Sequence, residues 1–312
     1  MKKYLVTGGA GFIGSHIVDA LLEKGAQVRV LDNFSSGRAS NLALAKKRID
    51  LIKADIRSKS ACLKATSGID YVLHQAALRS VPKSFNNPQE YNDVNIQGIL
   101  NMLEASVKNK VKAFVFASSS SVYGDVKDFP EKECFVPGPI SPYALTKLCG
   151  EYYCKIFSLR YGITTVALRY FNVFGPRQSL DDEYAVVIPK FIDCMFRNKR
   201  PPIYGTGRQS RDFTYISNVV NANILASLES KPVNSVYNVA GGKDYSILDL
   251  VSILNKLTGK KLKPVFLDKR PGDVFRTKAS LSLIEKGLGY KPEVDFINGL
   301  KRTLDYFKCV RK

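Results

Sequence analysis

Four consecutive hydroxyls, Ser118-Ser119-Ser120-Ser121, follow the apolar run Ala113-Ala117, and further on Tyr143 and Lys147 stand four residues apart. Residues at that spacing share one face of a helix. Ser141 suits the N-cap of such a helix and Pro142 its first position. A free tyrosine titrates at about pH 10 and is a poor base at neutral pH. A nearby ammonium favours the phenolate, which makes Tyr143 a candidate proton acceptor beside Lys147. A second Tyr-x-x-x-Lys, Tyr123/Lys127, is interrupted by Gly124 and is not expected on a helix.

Chemistry at Tyr143 needs a partner, and the first fourteen residues offer a place for one. Thr7-Gly8-Gly9-Ala10-Gly11-Phe12-Ile13-Gly14 follows an apolar run and opens a helix-period stretch. Gly8, Gly11 and Gly14 leave no Cβ where backbone turns tightly against a pyrophosphate, and the helix N-terminus presents unpaired N–H groups. The glycine spacing alone is weak evidence, but strand before and helix after are the required context. The second strand ends at Asp32, with Asn33 beside it. A carboxylate there accepts hydrogen bonds from the adenosine ribose and repels a 2′-phosphate, so NAD is expected rather than NADP. Arg38 nearby is a mild counter-signal.

These residues must be held by elements, and the first half alternates between two kinds. Strand-length runs occur at Tyr4-Val6, Val28-Leu31, Leu51-Ile52, Tyr71-Leu73, Ala113-Ala117 and Thr164-Leu168. Helix-period stretches separate most of them, notably Ile13-Glu23, Pro88-Lys108 and Pro142-Tyr161. The alternation predicts an α/β fold of Rossmann type, a doubly wound parallel sheet covered on both faces. From about Phe171 the rhythm breaks into Pro/Gly clusters and shorter elements. A Rossmann domain over 1–170 and a smaller C-terminal substrate-binding lobe over 171–312 are expected. Segments near 215–240, Ser217-Leu228 and Val236-Val239, are candidates for return to the first domain.

Composition narrows the class. The 312 residues carry 47 Lys+Arg against 28 Asp+Glu, a formal charge of +19. The basic residues are scattered, without blocks or an Arg/aromatic repeat, so a solvated surface is expected rather than nucleic-acid binding. An anionic ligand also favours a basic cleft. No apolar run is long enough to span a bilayer, so no membrane partner is expected. The basic start, Met1-Lys2-Lys3, is followed by Gly8, Gly9 and Gly11, which does not fit a signal peptide; a cytoplasmic protein is expected. Six cysteines without a C-x-x-C pair and only two histidines, His16 and His74, argue for free thiols and against a metal site.

Together the glycine loop, His74-Gln75-Ala76-Ala77, Asn95, the serine run, Tyr143/Lys147, Arg169-Tyr170-Phe171-Asn172-Val173-Phe174-Gly175, Arg211-Asp212-Phe213 and Arg270-Pro271-Gly272-Asp273 resemble the extended short-chain dehydrogenase/reductases. Within them the chain resembles the nucleotide-sugar 4-epimerases, and most of all bacterial UDP-N-acetylglucosamine 4-epimerases. The resemblance spans essentially the whole chain. It implies a UDP-hexose 4-epimerase that inverts C4 by transient oxidation with bound NAD, and a homodimer paired through the helices near Pro88-Lys108 and Pro142-Tyr161. It implies that Gly8, Gly11, Phe12, Ile13, Gly14, Asp32, Asn33, Asp55, Ile56, Gln75, Ala76, Ala77, Asn95, Tyr143, Lys147 and Tyr170 hold NAD. Ser119 then hydrogen-bonds the sugar O4 beside Tyr143, and Ser120, Asn172, Arg211, Arg270, Asp273 and Thr277 complete the substrate site.

Related activities ask for other residues. Nucleotide-sugar 4,6-dehydratases carry an Asp-Glu pair where this chain has Ser120-Ser121, and UDP-glucuronate decarboxylases carry a glutamate there. Non-catalytic NAD-binding relatives often lose the Tyr/Lys pair. In the same alignment Thr277 falls where epimerases restricted to unacetylated sugars have tyrosine. Threonine leaves room for an acetamido group in both orientations of a turning sugar. The segment Leu78-Arg79-Ser80-Val81-Pro82-Lys83-Ser84 also resembles the N-acetylhexosamine-active group. Interconversion of UDP-N-acetylglucosamine and UDP-N-acetylgalactosamine is therefore expected, with the UDP-glucose/UDP-galactose pair open beside it.

Overall fold

The computed structural model describes residues 1–179, 187–229, 234–268 and 274–310. Six strands alternate with helices through the first half: β1 Lys3–Thr7, β2 Gln27–Asp32, β3 Ile49–Lys53, β4 Tyr71–His74, β5 Ala113–Ser119 and β6 Thr164–Tyr170. Strand Asn234–Val239 adds to the free side of β6, giving a seven-stranded sheet in the order 234–239, β6, β5, β4, β1, β2, β3. Every pairing in it is parallel. The chain thus re-enters the sheet after residue 230, with helix Ile216–Ser227 packed against the first helix, Phe12–Glu23.

Alternation along the strands feeds two hydrophobic layers, because successive side chains point to opposite faces. Leu5, Leu31, Val72, Phe114 and Ala167 pack with Met102 and Leu103 on one side. Val6, Val30, Leu73, Val115, Val166 and Leu168 pack with Ile17, Val18 and Val219 on the other. The helix expected over Pro88-Lys108 runs unbroken through those residues, as Pro88–Asn92, a π-helical stretch Asp93–Gln97, and Gly98–Lys108. Such π insertions are common at functional sites. The Pro142–Tyr161 helix begins as expected, with the Ala144 N–H donating to the capping Ser141 Oγ at 3.1 Å.

Beyond Phe171 the secondary structure comes in short pairs. Val173–Phe174 pairs with Thr214–Tyr215, Ser210–Asp212 with Asp244–Ser246, and Pro202–Tyr204 with Val265–Leu267. Helices Val187–Phe196, Ile247–Thr258 and Phe296–Val310 cover them. Phe296 stacks on Phe213 at 4.9 Å and meets Phe174 edge-on at 5.5 Å, an aromatic cluster that anchors the last helix. Among the described residues no helix is long and apolar enough to cross a membrane, and all six cysteines are free.

Candidate active site

A parallel sheet puts the carboxyl ends of its strands on one edge, where ligands of open α/β folds bind. A cleft of about 560 Å³ opens there, lined by the residues that follow β1 through β6 and by a wall from the C-terminal segments. Its volume suits a sizeable ligand.

One end is built mainly from backbone. Gly8 has φ +67° and its N–H donates to the Leu31 carbonyl at 2.8 Å. A Cβ on Gly8 would lie 2.8 Å from the Ala76 nitrogen, and one on Gly14 would collide with the Gly8 carbonyl. Gly11 caps the first helix without a side-chain bond, and Gly11, Phe12, Ile13 and Gly14 line the cleft. Asp32 takes the Ala10 N–H at 2.9 Å on one oxygen and the Phe34 N–H at 2.7 Å on the other. Asn33 donates to Asp55 at 2.8 Å. Arg57, hydrogen-bonded to Asp55, holds that carboxyl at a pKa of about 2. Ile56, Gln75, Ala76 and Ala77 continue the lining. A loop with no room for Cβ atoms, an uncapped helix start and a carboxylate ending β2 fit a dinucleotide.

The serine run, Tyr143 and Lys147 line the same cleft. Tyr143 is hydrogen-bonded to Ser119. The Ser119 Oγ also accepts from the Ser121 N–H at 3.2 Å and the Ser121 hydroxyl at 2.9 Å. Ser120 lines the same wall. Lys147 is buried, its Nζ donating to the Ala117 carbonyl at 2.7 Å and lying 5.9 Å from the Tyr143 ring centroid. The expectation that an ammonium pulls the phenol down needs correction. Burial pushes the Tyr143 pKa up, against the Ser119 hydrogen bond and the positive charge of Arg79. Burial likewise pushes Lys147 down to about 7. The cation opposing the rise at Tyr143 is therefore Arg79, which lines the cleft after β4.

Tyr170 lies deeper, its hydroxyl accepting from the Asn223 amide at 2.8 Å and donating to Gln75 Oε1 at 3.2 Å. Asn95, expected along the dinucleotide, is buried next to the cleft-lining Val94. Its amide holds the Leu78 N–H and carbonyl at 2.8 and 2.9 Å and donates to Thr146 at 3.0 Å. It therefore positions the Leu78-Arg79 wall. Tyr123 is no second base, since it is buried in a 3-10 turn and donates to Asn238 at 2.7 Å.

The opposite wall joins distant segments. Asn172, at φ +33°, donates to Thr277 Oγ1 at 3.0 Å and to the Asp212 carbonyl at 3.3 Å. Thr277 is buried and lines the cleft. Arg211 also lines it, its guanidinium gripping the carbonyls of Ser210 at 2.7 Å and Val274 at 2.6 Å. The Asp212 carboxylate turns away to take the N–H groups of Gly241, Gly242 and Ala279. Arg270 and Asp273 lie outside the described residues.

Several residues of this site carry no motif of their own. Glu131 lines the cleft from the loop after the serine run. Glu151, two turns beyond Tyr143, accepts from Ser118 at 2.5 Å and pairs with Arg169 through bonds of 2.9 and 2.7 Å, both side chains buried. Arg169 in turn lies 4.6 Å from the Tyr123 ring centroid. This network ties the Pro142–Tyr161 helix to β5 and β6. The only sequence signals for it were a glutamate inside an otherwise amphipathic helix and an arginine inside an apolar strand.

Residues 4–240 match the model of the NAD dependent epimerase/dehydratase family. A UDP-N-acetylglucosamine 4-epimerase from Methanobrevibacter ruminantium M1, solved with UDP-N-acetylmuramic acid, is 42% identical with a TM-score of 0.95, covering 99% of each chain. A UDP-glucose 4-epimerase from Thermotoga maritima, solved with UDP-glucose, is 38% identical with a TM-score of 0.95, covering 99% of this chain and 100% of that one. A UDP-glucuronic acid 4-epimerase from Bacillus cereus, solved with UDP-glucuronic acid and NAD, is 36% identical with a TM-score of 0.92, covering 99% of each. With a site that fits a dinucleotide and a fold shared along its length with these enzymes, the chain belongs to the NAD dependent epimerase/dehydratase family.

Proposed function

We propose that this NAD-dependent UDP-sugar 4-epimerase interconverts UDP-N-acetylglucosamine and UDP-N-acetylgalactosamine. The observation that carries the choice of sugar is Thr277, a small side chain buried in the wall of the cleft that Tyr143 also lines. A 4-keto sugar must turn over before it is reduced on its other face, and an acetamido group needs space in both poses. The same space admits UDP-glucose and UDP-galactose as a second pair.

Gly8, Gly11, Gly14 and the first helix hold the NAD pyrophosphate, and Asp32 faces the adenosine ribose. Bound NAD supplies the hydride chemistry at C4. Tyr143 takes the C4 hydroxyl proton, and Ser119 orients O4 by the hydrogen bond it makes beside the phenol. Lys147, fixed by the Ala117 carbonyl, reaches the nicotinamide ribose. Arg211 and Arg270 bind the pyrophosphate of UDP, because a guanidinium fork matches phosphate oxygens in pairs.

The chain acts as a homodimer through the Pro142–Tyr161 helix. Leu145, Tyr152, Ile156 and Leu159 form an apolar stripe along that helix that faces solvent in the single chain. Light scattering is expected to give twice the 34.7 kDa chain mass.

The deciding experiment incubates the pure protein separately with UDP-N-acetylglucosamine and UDP-glucose and reads products by proton NMR. Formation of UDP-N-acetylgalactosamine supports the reading; conversion of UDP-glucose alone overturns it.

A further inference from the structure

The segment Gly175-Pro176-Arg177-Gln178-Ser179 leaves strand Val173–Phe174 and reaches the dinucleotide end of the cleft. Three of its residues are tied to that end. The His16 ring donates to the Pro176 carbonyl at 3.0 Å, Arg177 Nη2 pairs with Asp19 at 2.6 Å, and Arg38 donates to the Ser179 hydroxyl at 3.2 Å. His16 and Asp19 belong to helix Phe12–Glu23, which opens at the glycine loop, and Arg38 follows the cleft-lining Ser35, Ser36 and Gly37. Gln178 serves the cleft itself. It is 4% exposed, lines the cleft with Asn172 and Val173, and donates to the Val173 carbonyl at 3.1 Å.

Two features of this segment cost stability. Arg177 sits at φ +65°, where a residue with a Cβ is uncommon and is kept only by surroundings that over-determine it. Arg177 Nη1 and Gln178 Oε1 are buried and find no hydrogen-bond partner among the described residues. An orphaned buried donor or acceptor is unfavourable. Glycine at 177 would remove the first cost without steric conflict. What the arginine adds is a fixed direction: with its guanidinium held by Asp19, the next side chain is set in the cleft wall.

We infer that Arg177 is a positioning residue for UDP-sugar binding: its ion pair with Asp19 seats the segment on the helix that opens at the glycine loop and sets Gln178 in the wall of the cleft. The pair serves any UDP-hexose, acetylated or not, which keeps its test apart from the choice of sugar.

The test uses the full chain with its bound NAD and measures KM, kcat, NAD content and the unfolding midpoint, with whichever UDP-sugar the wild type converts. Arg177→Gly relieves the backbone and deletes the pair; Asp19→Asn deletes the charge and leaves residue 177 as it is. Both are expected to raise KM about tenfold, short of the ~10²-fold that a misplacement of about 1 Å can cost, with kcat and NAD content near wild type. Arg177→Lys restores a cation for Asp19 and should recover part of the loss. Because Arg177 acts through Gln178, the double variant Arg177→Gly/Gln178→Ala should show a KM no higher than Gln178→Ala alone, whereas independent contributions add. Additive losses in the double variant overturn the inference. So does an unfolding midpoint that drops in both single variants while KM stays at the wild-type value, the behaviour of a merely structural ion pair. Loss of NAD without a change in KM assigns the pair to the cofactor helix alone and equally overturns it.

Discussion

The two ends of the cleft are made in different ways. The dinucleotide end is contiguous and mostly backbone: Thr7 to Gly14 in one turn, with Asp32 closing it through two main-chain N–H groups. The sugar end is discontinuous and mostly side chain: Asn172, Arg211, Thr277 and Glu131 come from four separated segments and meet through hydrogen bonds such as Asn172 to Thr277 at 3.0 Å. A backbone cradle leaves little freedom to vary without losing its ligand. A wall of side chains on short strand pairs tolerates replacement, and replacement there changes which ligand fits. That division accounts for relatives alike along 97–100% of their length being named for UDP-sugars with different C2 and C6 groups.

The largest effect is expected where the two ends meet. Tyr143→Phe removes the proton acceptor and its Ser119 bond while leaving the ring, which meets Tyr91 edge-on at 6.5 Å. Turnover should fall ~10²–10⁴-fold, the usual contribution of general base catalysis. Bound NAD and the thermal midpoint should stay near wild type. Turnover close to wild type in this variant would remove Tyr143 from the mechanism and the junction from the comparison.

Gly14→Ala probes the backbone end. The added methyl meets the Gly8 carbonyl, and main chain cannot step aside as a flexible side chain can. Overpacking of this kind costs about 1–3 kcal/mol, here expressed as a lower unfolding midpoint and weaker NAD binding. All UDP-sugars should suffer alike. A variant that holds NAD but discriminates between sugars would contradict the division of labour between the ends.

The same difference explains what could be read from the sequence. Strand-helix alternation and the glycine spacing are local signals, so β1 to β6, the first helix and the Pro142–Tyr161 helix are legible to within a residue or two. Tyr143 and Lys147 are legible because helical spacing is itself geometry. The direction of the Tyr143 shift was not, because burial is a property of the assembled cleft and outweighs the neighbouring charge. Asn95 belongs to a π-helical stretch that no periodicity announces, and its hold on Leu78 is a long-range contact that spacing does not show. Glu131 was missed altogether. A glutamate between Pro130 and Lys132 looks like a solvated loop residue until the pairing with Lys278 and Ser280 folds it inward.

The smallest effect, and the one most particular to the sugar end, is expected from Thr277→Tyr. Thr277 Oγ1 accepts from the Asn172 amide at 3.0 Å and from the Asp212 N–H at 3.3 Å, and its own N–H donates to Ser210 at 3.1 Å. A phenol at this position fills space that a turning acetamido group needs, so kcat/KM for UDP-N-acetylglucosamine should fall roughly tenfold relative to UDP-glucose, within the ~10–200-fold range of discrimination by pocket volume. Tyrosine also forfeits the short-range hydroxyl contacts, which alone could slow both sugars by loosening Asn172. Thr277→Val separates the two causes, because it keeps the volume and drops the hydroxyl. If space decides, Val preserves the ratio between the sugars whatever it does to their absolute rates, and Tyr shifts it. If both variants slow both sugars in proportion, Thr277 supports the wall without selecting what enters it, and the choice of sugar passes to other residues of that wall.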